Sequence, residues 1–185
     1  DVVSPTAPPP TAPPSTPPPA CSVDGPVTFT GAADSYREAT PRTPTIGGTD
    51  LTLSVWVKRG GGGTYNYDRV FDFGNGQEAD NVLLLFYADG RTEFVVYRGT
   101  TAGGVVTTEY FPANTWTHIA VVLTGVDVGT AAVYWDGVLK ASGSSFALPS
   151  AVARSGYYVG KSHWSTDPMF EGEMRDLVMW DVALS

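Results

Sequence analysis

Short stretches of alternating apolar and polar residues make up most of the chain after residue 21. The clearest stretch, 51–58, places Leu51, Leu53, Val55 and Val57 on one face and polar or amphipathic residues on the other. A period of two is typical of a half-buried strand. Residues 174–180 alternate less regularly, which indicates a strand covered on both faces. Further predicted strands are 27–30, 69–73, 82–87, 93–97, 105–111, 117–123, 131–135 and 157–161.

Two Asp-Gly pairs, Asp89-Gly90 and Asp136-Gly137, separate predicted strands. Such pairs favour type I′ turns, in which both central residues have positive φ, so the chain should meander antiparallel. Helical periodicity is nearly absent, and many short strands without helices predict an all-β fold with two sheets. The inward-facing residues should form one core between the sheets: Leu53, Val55, Ile119, Val121, Val133, Leu177 and Met179.

A proline-rich segment precedes these strands. Residues 5–19 include nine prolines, which exclude helix and sheet interior and favour a polyproline II segment of roughly 45 Å. The expected organisation is a stalk or linker over 1–21 and one domain over 22–185. Cys21 is the single cysteine, so it is either an inert thiol or forms an intermolecular disulfide with another chain.

Charge and hydropathy exclude two classes of partner. The chain has 11 Lys plus Arg and 19 Asp plus Glu, a net charge of −8, which would repel nucleic acid. No apolar run approaches the roughly 18 residues of a membrane span, so membrane insertion is not expected. The start of the chain lacks the features of a signal peptide, which suggests a mature or excised product.

Several segments carry a family resemblance. GEMRDLVMWDVALS (172–185) resembles the final strand of laminin G-like and pentraxin-like jelly rolls. WTHIAVVL (116–123) and AVYWDGVLKASG (132–143) are similar to the centre of laminin G-like domains of the concanavalin A-like lectin/glucanase superfamily, and FTGAADSY (29–36) to their opening strand. The resemblance implies a two-sheet antiparallel jelly-roll sandwich. The stalk resembles hydroxyproline-rich glycoproteins, which implies an extracellular or cell-surface location.

Glucanases of this superfamily present alternating acids to their cleft. The nearest match, EADNV (78–82), has Val82 where the second catalytic glutamate would be needed. Glu171 and Glu173 alternate correctly, but they lead into the final strand. We therefore expect a protein that binds and is not an enzyme.

Calcium is the cofactor that the resemblance implies. Asp80-Asn81 ahead of an apolar strand resembles half of the pentraxin-like site, and Asp167 could complete part of the shell, although an ordinary turn is the alternative. The sequence departs from the second half of that site at residues 161–164. A separate structural calcium could involve Asp34 and Asp176, for which a backbone hydrogen bond or an ion pair is an equal explanation.

Aromatic residues in two loops suggest glycan binding. His163 and Trp164 share a loop with Asp167, while Tyr65 and Tyr67 follow a glycine run. Sugars stack on exposed rings and form hydrogen bonds with carboxylates, so these residues are candidate glycan ligands. The alternative is that the Trp164 loop packs onto the sheet. His118, on a predicted strand, is interpreted as a structural histidine.

Two functions follow from these patterns. The chain is interpreted as a glycan-binding or adhesion module of a larger secreted or cell-surface protein, with a polysaccharide or glycoprotein as partner. The alternative is a structural subunit of an extracellular fibre or cell wall, in which copies assemble through the stalk and Cys21.

Overall fold

The computed structural model describes residues 21–23, 25–41, 45–60 and 66–184, with side chains from residue 25 onward. The predicted stalk, apart from the backbone of Cys21, lies outside this part of the chain. None of the described residues forms a helix long and apolar enough to cross a membrane. The strands found in these ranges are β1 Cys21–Val23, β2 Val27–Thr30, β3 Arg37–Glu38, β4 Thr45–Ile46, β5 Leu51–Arg59, β6 Asp68–Gly74, β7 Val82–Phe86, β8 Thr92–Arg98, β9 Thr101–Val106, β10 Thr117–Val126, β11 Val128–Trp135, β12 Val138–Ala147, β13 Val152–Ala153, β14 Gly156–Val159 and β15 Glu171–Trp180.

These strands form two large antiparallel sheets. The first has the order β1-β15-β5-β10-β11-β12, with β2 also paired to β15, and the second has the order β3-β14-β6-β7-β8-β9. A small ladder joins β4 to β13. The predicted all-β jelly-roll sandwich is confirmed.

A single hydrophobic core lies between the two sheets. All seven predicted core residues belong to it, and each is at most 3% exposed. The second sheet contributes a set of fully buried rings from its inner face, including Phe71, Phe73, Phe86 and Phe94. Because burying one large apolar side chain stabilises a fold by roughly 1.5–3 kcal/mol, this alternation specifies the sandwich.

The two Asp-Gly hairpins differ. Asp136 and Gly137 both have positive φ, 47° and 77°, as a type I′ turn requires. At the other hairpin only Gly90 has positive φ, 92°, so the prediction of a type I′ turn there was wrong. Gly90 N donates to Tyr87 O, and Asp89 Oδ1 instead accepts from the Arg91 N–H.

Edge strands account for the main errors in the predicted boundaries. β12 was not predicted and β9 was placed too late, at 105–111. Both strands lie at sheet edges, where at least half of their residues are exposed, so apolar alternation is weak. The irregular pattern of β15 also has a local cause, because a bulge between Arg175 and Val178 places Asp176 at φ 53°.

Candidate functional site

The outer face of the second sheet carries apolar residues where a solvated face would be polar. Leu83 and Leu85 on β7 and Val95 on β8 point away from the core, yet they are only 1%, 3% and 8% exposed. Tyr87, Tyr97 and Trp164 pack against them. A buried apolar cluster on an outer face indicates a covered or ligand-binding surface.

Aromatic rings surround this cluster and form a groove of about 340 Å³. Tyr97 and Trp164 stand with ring centroids 5.6 Å apart, and Tyr67 and Tyr87 form an edge contact at 5.8 Å. Tyr67 is 45% exposed, so part of its ring is open to a ligand. We call this site the aromatic groove; its lining includes Tyr67, Arg69, Leu83, Leu85, Glu93, Val95, Tyr97, Gly104, Trp164 and Asp167.

Arg69 is the cation of the aromatic groove and is held in place from three sides. Its Nη2 lies 2.8 Å from Asp167 Oδ2, its Nη1 donates to Tyr67 O, and its guanidinium lies 5.2 Å from the Trp164 ring centre. Burial lowers the pKa of Arg69, and the neighbouring Asp167 opposes that shift. Ser162 Oγ donates to the same Asp167 oxygen and accepts from Trp164 N, which fixes the tryptophan loop.

A second carboxylate lies over the neighbouring strand. Glu93 Oε2 accepts a hydrogen bond of 2.5 Å from the Tyr87 hydroxyl. Burial, and next this hydrogen bond, raise the pKa of Tyr87, which therefore remains a donor at neutral pH. Gly104 on β9 makes room for the acid, because a Cβ at that position would overlap the Glu93 carboxylate. The groove thus presents rings, an apolar floor and two carboxylates.

The structure brings together three of the residues singled out in the sequence. Tyr67, Trp164 and Asp167 all line the aromatic groove. Tyr65 lies outside the described residues. His163 does not line the groove. Its ring centroid lies 4.5 Å from that of Tyr158, and the ring also packs so closely on Gly156 that a Cβ at that position would overlap it.

His163 instead belongs to a buried network around Asp72. Asp72 is fully buried and accepts from His163 N through Oδ2 and from Asn81 Nδ2 through Oδ1, at 2.9 and 2.8 Å. His163 Nδ1 also lies 3.1 Å from Asp72 Oδ1, without hydrogen-bond geometry. Arg69 Nε is 3.9 Å from Asp72, so this network supports the loop that carries Trp164.

The candidate calcium ligands Asp80 and Asn81 serve the turn before β7. Asn81 is fully buried; its Oδ1 accepts from Ala79 N and its Nδ2 donates to Asp72 and to Gly76 O. Asp80 Oδ1 accepts from Gly99 N, and Asp80 has φ 55°. Asp167 is paired with Arg69 instead. The Asn81 amide and one carboxylate oxygen each of Asp80 and Asp167 are thus engaged by protein groups. The described residues contain no cluster of three or more acids, histidines or cysteines that could hold a metal ion, so calcium binding at these residues stays a prediction.

Asp34 and Asp176, the candidates for a structural calcium, are held apart by the pairing of β2 with β15. β2 pairs with β15 so that Thr30 lies opposite Glu171, and Asp34 follows Thr30. Asp176 lies five residues further along β15, roughly 17 Å at 3.3 Å per residue. Asp176 is half-exposed, with Arg175 Nε 3.9 Å away, so the two aspartates do not share a site.

Two other residues were singled out in the sequence, His118 and Cys21. His118 Nε2 lies 2.7 Å from Ser54 Oγ, and the backbone N–H of His118 donates to Asp136 Oδ1. Both contacts confirm a structural histidine. Cys21 pairs with Met179 in the β1/β15 ladder. Its disulfide to another chain stays a prediction.

Sequence reasoning missed the groove residues that lie on strands, and Tyr87 directly after β7; the strand residues are Arg69, Leu83, Leu85, Glu93, Val95, Tyr97 and Gly104. The available signal was the unbroken apolar run of β7, which is buried on both faces although its sheet has one core side. Such a run indicates that something covers the outer face as well.

Comparison with known families agrees with this architecture. A laminin G-type family of the Concanavalin A-like lectin/glucanases superfamily matches residues 30–185. The chain therefore belongs to the Concanavalin A-like lectin/glucanases superfamily. No functionally curated protein matches the chain in sequence.

Three solved structures show the same fold at low identity. A heptameric SAP-like pentraxin from Limulus polyphemus has a TM-score of 0.61 and 17% identity, over 90% of this chain and 78% of the pentraxin. Domain 4 of the extracellular arabinanase AbnA from Geobacillus stearothermophilus, in complex with arabinotriose, has a TM-score of 0.58 and 22% identity, over 87% and 83%. The Ruminococcus gnavus IT-sialidase CBM40 bound to α2,3-sialyllactose has a TM-score of 0.63 and 12% identity, over 74% and 78%.

Proposed function

We propose that this chain is a non-catalytic glycan-binding module and that the aromatic groove is its site. The observation that carries the proposal is the arrangement of Tyr67, Tyr97 and Trp164 around a buried apolar floor on an outer sheet face. Sugar rings present apolar C–H faces that stack on aromatic side chains. The site also has the volume and the few polar groups that a small-ligand pocket requires.

The polar groups of the groove favour hydroxyl-rich, uncharged sugars. Glu93 and Asp167 offer acceptor oxygens to sugar hydroxyls, whereas the guanidinium of Arg69 is already paired with Asp167. With two carboxylates and one cation, the groove has a formal charge of −1. An acidic sugar would meet this negative charge in a chain whose net charge is −8.

Membership of a lectin and glucanase superfamily supports carbohydrate as the ligand class. Two similar domains are solved with a sugar, arabinotriose in one and α2,3-sialyllactose in the other. A module with this ligand would attach a larger secreted or cell-surface protein to polysaccharide or glycoprotein. That placement agrees with the proline-rich composition of residues 5–19.

A glycan array followed by titration calorimetry on the full chain tests the proposal. Tyr67→Ala and Trp164→Ala should each weaken binding by up to about tenfold, since a ring contact contributes roughly 0.5–1.5 kcal/mol. Tyr110→Ala is the matched control, because Tyr110 is 67% exposed and lies outside the groove. Thermal melts of all variants separate lost binding from lost folding.

Three results would overturn the proposal or a part of it. Unchanged binding in both groove variants would place the site elsewhere on the molecule. Preference for sialylated or sulfated over neutral glycans would contradict the charge argument. Release of shortened glycan during incubation, lost on Glu93→Gln or Asp167→Asn, would show a hydrolase.

A further inference from the structure

A second groove lies on the outer face of the first sheet, on the opposite side of the sandwich from the aromatic groove. It has a volume of about 390 Å³ and lies over the outward residues of β5, β10 and β11, with Trp180 and Leu184 at one side. We call it the Trp180 groove. Its lining is Thr52, Ser54, His118, Ala120, Val122, Tyr134, Gly137, Trp180 and Leu184.

The Trp180 groove is uncharged, although the chain carries a net charge of −8. It contains no acid, lysine or arginine. Its histidine, His118, bonds to Ser54, and burial lowers the pKa of that histidine, which keeps it neutral at neutral pH. Small residues such as Ala120 form the floor, which leaves a shallow apolar track between the rings of Tyr134 and Trp180.

The Tyr134 hydroxyl is a hydrogen-bond donor at this groove that has no bond to another described residue. A chain bound in the groove can accept from this hydroxyl through a backbone carbonyl. Proline-rich chain suits such a site, because prolines contribute carbonyl acceptors but no N–H donors.

The chain itself contains such a segment close to the groove. Residues 5–19 include nine prolines and no charged residue. They lead into β1, where Cys21 pairs with Met179, the neighbour of Trp180. From β1 across β15, β5 and β10 to β11 is four strand spacings, roughly 19 Å at ~4.8 Å each, and fifteen residues of polyproline II reach roughly 45 Å.

We propose that the Trp180 groove binds residues 5–19 of the same chain. Aromatic-lined grooves bind polyproline II segments at low entropic cost, because such segments start near their bound shape. The two uncharged surfaces match, the Trp180 ring offers an apolar face to the prolines, and the Tyr134 hydroxyl donates to a proline-flanking carbonyl. This interaction is independent of the glycan proposal, since the two grooves lie on opposite sheets.

Paramagnetic broadening of the five tryptophan indole signals tests this docking in the full chain. A nitroxide is attached at Thr11→Cys in a Cys21→Ser background, and the chain is labelled with ¹⁵N. Phe substitutions assign each indole. The Trp180 signal should lose most of its intensity, whereas the Trp164 signal in the aromatic groove should keep its intensity.

A mixed sample distinguishes the chain's own segment from that of a second copy. Spin-labelled, unenriched chain is added to ¹⁵N chain without a label, and the Trp180 signal should then be unaffected. Broadening in the mixed sample would assign the groove to another copy and overturn the proposal. Loss of signal intensity at Trp164 would also overturn it, and so would unchanged intensity at all five indoles.

A pair of lysine substitutions provides the matched control. Ala120→Lys places a charge on the floor of the Trp180 groove and should restore the Trp180 intensity. Ala102→Lys places the same charge beside the aromatic groove and should leave the broadening unchanged. Equal effects of both substitutions would contradict docking in this groove.

Discussion

Replacing Asn81 with alanine should lower the free energy of unfolding by about 3–5 kcal/mol. Asn81 is fully buried and makes three hydrogen bonds, to Ala79 N, Gly76 O and Asp72 Oδ1, at 2.8, 3.0 and 2.8 Å. Each neutral bond contributes about 1 kcal/mol and the bond to the buried Asp72 carboxylate roughly 1.5–3 kcal/mol. The turn before β7 should therefore loosen.

Asn75→Ala is the control for this change. Asn75 belongs to the same turn and also makes two hydrogen bonds, to Ala153 O and from Ser155 N, but it is exposed. Water replaces those bonds, so its loss should cost under about 1 kcal/mol. Urea unfolding of both variants and of the wild type measures the difference.

The same titrations in excess calcium and in EDTA separate a structural turn from a metal site. We expect Asn81→Ala to lower the free energy of unfolding by the same amount in calcium and in EDTA, because the Asn81 amide is already bonded to protein atoms. A loss that appears only in calcium would show that Asn81 acts through the ion. A loss no larger than that of Asn75→Ala would refute the hydrogen-bond reasoning.

Three further predictions concern the core, pH and the groove. Leu53→Ala should cost ~2–5 kcal/mol and Ser54→Ala much less in urea unfolding, and the reverse order would contradict the register. Burial lowers the pKa of His118 below 6.5, so stability should fall as pH drops below that value, and His118→Gln should remove this slope. Gly104→Ala should displace the Glu93 carboxylate and weaken glycan affinity without lowering the melting temperature.

Sequence alone determined the class of fold and the composition of its core. Strong alternation, as in 51–58, shows which side chains must leave water, and all seven predicted core residues are buried together. The family segments, 116–143 above all, carried the superfamily assignment that the match over 30–185 bears out. Both results depend on local patterns that a single strand already contains.

Tertiary structure decided the site. Trp164, Tyr67 and Asp167 were visible as loop residues, but only the sheet order β6-β7-β8 places them beside Tyr97. Arg69 and Asp167 form their ion pair across 98 residues of chain. The same packing placed Asn81 and His163 in hydrogen-bond contact with Asp72, which no local pattern indicated. Alternation predicts which face of a strand is buried. Long-range pairing and packing decide which strands lie beside it and which loops cover its outer face.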